Sequence, residues 1–139
     1  MRKRAVIVIV AVLCVAAGLY TLYYVSPIGQ HNRQAAHYEH QVRGSVMSLG
    51  DVQVTSGGHR VSGNLWGEGG ECSVLATFEV NTTLAARDFE DHLKSVLRQR
   101  SIDYVYEQVK PLGGRSDRLV LRVEVGTLTA GGSLDPRCG

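Results

Sequence analysis

The chain has 139 residues, 44% hydrophobic and 20% charged, with a formal net charge of +2. Arg2, Lys3 and Arg4 contribute three positives ahead of everything else, so the remainder is close to neutral and has no concentrated basic face; nucleic acid is excluded as a partner. A chain this short has material for one small core.

Ala5 to Val25 carries no charge. As a helix its twenty-one residues would extend roughly 31 Å, the thickness of a bilayer's hydrocarbon core. The basic flank formed by residues 1–4 precedes the run, and the next charge is Arg33, so the positive-inside rule puts the N-terminus in the cytoplasm. Tyr20, Tyr23 and Tyr24 stand where an interfacial aromatic belt is expected, with Arg2, Lys3 and Arg4 at the other interface. A signal peptide cleaved after Ala17 is the competing reading, because Val15-Ala16-Ala17 offers small residues behind an apolar run. Cleavage there would leave Leu19 to Val25 exposed, which favours a permanent anchor. Cys14 lies within the span and reads as a small apolar residue, since Leu13 is too bulky for a lipidation site.

Residues 26–45 read as a polar stalk. Pro27 and Gly29 end the membrane helix, and His31, His37 and His40 follow among Gln, Asn, Glu and Arg, with a short helix through Gln34 to Val42. His37 and His40 would share a helix face, but no nearby Cys, Asp or Glu completes a ligand spacing, and neither a metal nor a cofactor is expected.

The domain then covers 46–139. Val52 and Val54 alternate with polar residues, Ser56-Gly57-Gly58-His59 has turn chemistry, and Val61 to Leu65 alternates again, which predicts a hairpin closed by Trp66. Cys72 to Val80 is the strongest strand, with Val74, Ala76, Phe78 and Val80 on one face. A helix of about seventeen residues follows, capped by Thr82 or Thr83, its stripe formed by Leu84, Phe89, Leu93, Val96 and Leu97. Ile102 to Val109 and Leu119 to Val125 read as two more strands, separated by a break at Pro111 to Asp117. The order β-β-β-α-β-β predicts an α+β domain of about five mainly antiparallel strands, covered on one side by one helix.

Cys72 and Cys138 are the only cysteines outside the span, and an extracytoplasmic compartment would let them pair. Asn81-Thr82-Thr83 matches a glycosylation acceptor, at a junction where its residues already serve the turn into the helix. Catalysis is not expected: Gly-x-Ser-x-Gly is absent, and Ser56, His59 and Ser62 sit where turn residues are normal. Trp66, Tyr104 and Tyr106 are the candidate contact surface. The expectation is a membrane-anchored extracytoplasmic adaptor whose partner is an envelope or membrane protein. A tethered hydrolase or ligand sensor, or the same domain secreted, is the alternative.

Overall fold

A computed structural model describes residues 2–63, 72–115, 117–129 and 135–138. Its elements in chain order are α1 (Arg2–Val25), α2 (Pro27–Met47), β1 (Val52–Gly63), β2 (Cys72–Thr82), α3 (Ala86–Gln99), β3 (Tyr106–Arg115) and β4 (Arg118–Thr129). The strands form one antiparallel sheet in the order β1-β2-β4-β3. The protein is α+β, as its periodicities predict, with four described strands where five are expected.

The sheet's core face follows from alternation. Val74, Ala76, Phe78 and Val80 of β2 are fully buried, as are Leu121, Val123 and Val125 of β4 beside them. Against this face α3 sets Phe89, Leu93 and Leu97, all fully buried, and Leu84 packs at the margin. Thr82 is not the cap of that helix. Its hydroxyl accepts from the Leu84 amide at 3.1 Å in a turn, and Ala85 occupies the N-cap position without a side-chain bond.

Three readings of the sequence are corrected. Residues 26–45 are not a stalk: Ser26 ends α1 and at once caps α2, its hydroxyl accepting from the Gly29 amide at 3.1 Å with Pro27 at the first helical position. That is the standard chemistry of a helix start, read above only as a helix end. His31, Ala35, Tyr38, Val42 and Val46 recur at helical spacing along α2 and are buried, so the sheet carries two helices on one face. Tyr38 ties this layer to the end of α3 by donating to the Asp103 carbonyl at 3.2 Å.

The second correction concerns Ser56 to His59, which runs inside β1 and is no turn. A bulge between Val54 and Ser56 shifts the register and sets Gly57 opposite Phe78. A Cβ on Gly57 would come within 2.6 Å of the Phe78 ring and 2.8 Å of the Arg43 guanidinium. The glycine therefore admits a large neighbour; it does not reverse the chain. The third correction lies in β3, which begins at Tyr106 and runs through Pro111 to Arg115, the expected break being a bulge between Pro111 and Gly113. Ile102 precedes the strand and donates its amide to the Leu97 carbonyl, closing α3.

One polar group sits poorly on the core face. The Glu107 side chain is 3% exposed; Oε2 pairs with Lys94 at 3.3 Å and Oε1 has no hydrogen-bond partner among the described residues. Burial raises its pKa above the ordinary carboxylate value, against the opposing pull of Lys94. A carboxyl whose folded pKa lies above its unfolded one favours folding while protonated, and that contribution is lost as pH rises through the folded value. Glu107→Met should therefore raise the melting temperature at neutral pH by a few degrees, about what 1 kcal/mol gives in a domain this size. It should also remove that segment of the pH–stability curve, as thermal melts between mildly acid and neutral pH will show.

Candidate functional site

Two regions concentrate polar chemistry: the joint between α1 and the domain, and the sheet face that the helices leave open. The joint is one residue long. The Ser26 amide donates to the Leu22 and Tyr23 carbonyls, and the Gln30 amide donates to the Ser26 carbonyl, so the backbone bends from α1 into α2 with its hydrogen bonds nearly continuous. Side chains close the bend. Asn32 donates to the Tyr23 hydroxyl at 2.7 Å, and the Arg33 guanidinium lies 3.7 Å from the centre of the Tyr24 ring. Arg137, distant in sequence, donates to Asn32 Oδ1 at 2.8 Å and to the Ile28 carbonyl at 3.4 Å.

Gly29 is the close-packed point of this bend, where a Cβ would run into the Tyr23 carbonyl. Gly29→Ala should therefore push α1 away from α2. Spin labels at Thr21 and His37 should report a shifted or broadened distance distribution. Gly44→Ala, whose added methyl would meet only the mobile end of Arg100 at 3.4 Å, should leave the distribution unchanged.

Behind the joint lies a buried cluster. His31 in the second turn of α2, Cys72 at the start of β2, and Asp135 and Cys138 in the turn after β4 bring their side chains together. Cys72 and Cys138 are bonded to one another, with Cα atoms 4.8 Å apart. His31 Nδ1 is 2.9 Å from Asp135 Oδ2 and 3.4 Å from Cys72 Sγ. Asp135 has a fully buried side chain and is saturated with donors: the Arg137 backbone amide and Nε each reach Oδ1 at 3.0 Å, and Nη2 reaches Oδ2 at 2.6 Å. The Arg137 guanidinium, with His31 assisting, holds that carboxyl well below the usual carboxylate range despite its burial. In return, the hydrogen bond to Asp135 raises the pKa of Arg137 further.

The other residues singled out from the sequence are placed apart. Tyr104 packs against the core, whereas Tyr106 points to the open face and donates to Gln108 at 2.7 Å. Trp66 lies outside the described residues, as do the side chains of Arg2, Lys3 and Arg4. Tyr20 stacks on Tyr24 with ring centres 6.1 Å apart on the exposed surface of α1. Sequence reasoning missed His31, Asn32, Asp135 and Arg137. The one usable signal was Asp135 three residues before Cys138, a spacing that puts two side chains on one side of a turn. Cys138 is held in that turn by its amide, which donates to the Asp135 carbonyl at 2.9 Å.

On the open face, Arg122 pairs with Glu79 at 3.1 Å, and a hollow of about 290 Å³ is lined by Gly58, His59, Arg60, Leu75, Thr77 and Glu124. The chain matches no family model, and neither a curated protein nor a solved structure similar to it was found.

Proposed function

We propose that this chain is a single-pass membrane protein with its N-terminus in the cytoplasm. Its α+β domain stands on the outer surface and acts by binding another protein of the envelope or its membrane, not by catalysis. The carrying observation is the joint. Val6–Val25 is a helix long and apolar enough to cross a bilayer, with no part of it buried in the domain, and its last turn is engaged by Asn32 and Arg33. Tyr23 and Tyr24 thus belong to the folded unit, which supports retention over cleavage after Ala17. The basic flank supports the orientation, and a Cys72–Cys138 bridge is at home in an oxidising compartment.

A span clasped to its domain through one residue presents that domain in a fixed attitude, which suits an adaptor better than a free tether does. Two helices fill one sheet face, so the open face is the proposed contact surface, centred on Arg60, Leu75, Thr77 and Tyr106. A photo-cross-linking residue at Thr77 should capture one discrete envelope protein in native membranes, and Arg60→Glu should abolish the adduct. The same residue at exposed His92 on α3 should capture none. Equal capture from both positions would defeat the reading. So would turnover of a substrate by the domain alone, which would favour the tethered hydrolase.

A further inference from the structure

We propose that His31, Cys72, Asp135 and Cys138 are the ligands of a tetrahedral zinc site that forms when the Cys72–Cys138 bridge is reduced. All four residues are buried, and one ligand atom from each lies within 4.8 Å of all the others. From Zn–N and Zn–S lengths of about 2.0 and 2.3 Å, ligand atoms on a tetrahedral zinc stand roughly 3.3 to 3.8 Å apart. The 3.4 Å from His31 Nδ1 to Cys72 Sγ already meets that, and the 2.9 Å to Asp135 Oδ2 is within half an ångström of it. Side-chain rotation of the freed cysteines separates the two sulfurs to the required spacing.

The surroundings suit the ion. Two thiolates and one carboxylate around Zn²⁺ leave a net charge of −1, and the Arg137 guanidinium neutralises it. Arg137 also grips Asp135 Oδ1 through its amide and Nε and Oδ2 through Nη2, as outer-shell groups do in built sites; the side of Oδ2 that meets His31 Nδ1 is the one that would turn to the metal. The chemistry balances in two steps. A dithiol reductant passes two electrons and two protons to the bridge and becomes a disulfide itself; Zn²⁺ then displaces the two thiol protons and binds the thiolates. His31 would bind through Nδ1, with a proton on Nε2 only. The bridge and the metal are thus alternative closures of one site: the bridge ties β2 to the turn after β4, and the metal would tie α2 to both through His31.

The test uses the full chain in detergent micelles, carrying Cys14→Ser so that no other thiol remains, reduced with a phosphine and titrated with Co²⁺ and then Zn²⁺. One equivalent of Co²⁺ should give the intense visible bands of tetrahedral cobalt and a thiolate charge-transfer band, both erased by Zn²⁺. Zinc should raise the melting temperature of the reduced protein and leave that of the oxidised protein unchanged. His31→Asn and Asp135→Asn should each weaken zinc binding tenfold or more, and His37→Asn should not. Circular dichroism of the oxidised variants checks their folding. If Asp135→Asn fails to fold, Asp135→Glu keeps the charge and should still shift the cobalt bands. A pale octahedral spectrum without charge transfer, or parental affinity in the His31 and Asp135 variants, would overturn the proposal.

Discussion

Val42→Asp is expected to unfold the domain, whereas His40→Asp, two residues away on the same helix, should leave it intact. Val42 is fully buried among the core residues of α2 and the sheet, while His40 is exposed. The substitution removes apolar burial and forces a carboxylate among fully buried apolar side chains. The expected cost is about 4 kcal/mol or more, most of the stability of a small domain. Denaturant melts of both variants decide the matter. Equal stability would return residues 26–45 to the status of a solvated stalk and take α2 out of the core.

Removing the bridge should have an effect of similar size. Cys72 and Cys138 are 66 residues apart, and closing a loop of that length restricts the unfolded chain by about 4 kcal/mol in the chain-entropy model. The double variant Cys72→Ala, Cys138→Ala should lose most of that, read as a lower denaturant midpoint with little change in slope. The bridge also holds Asp135 and Arg137 in place, and Arg137 reaches Asn32 and Ile28 at the joint. The loss should therefore spread to the end of α1, where faster amide exchange at Ile28 to Asn32 would register it. A midpoint unchanged from the parent would mean that the turn after β4 is held by its polar contacts alone.

These two experiments fall on opposite sides of what the sequence makes legible. The strands β2 and β4 are plain to read because Val74, Ala76, Phe78 and Val80, and Leu121, Val123 and Val125, recur at every second position, and α3 is plain because Phe89, Leu93 and Leu97 repeat at helical spacing. The helix α2 is obscure because its buried stripe sets His31, Ala35, Tyr38 and Ser45, side chains that carry weak apolar signal, beside only two valines, Val42 and Val46. Gly57 and Gly58 mislead for a different reason: glycine serves both chain reversal and close approach, and only the position of Phe78 across the sheet separates the two uses. At the candidate site, the Cys72–Cys138 pair can be anticipated by elimination. The pairing of Asp135 with His31 cannot, because 104 residues separate them and only the packing of α2 brings them together.

The anchoring is tested most directly by labelling. In a Cys14→Ser background, Ser95→Cys places one free thiol on the exposed side of α3, and a membrane-impermeant maleimide is added to right-side-out vesicles after an alkaline wash. The account predicts full labelling of a protein that stays in the membrane with the mass of the chain from Met1. Labelling only after the vesicles are opened, or a soluble product that begins at Gly18, would contradict it.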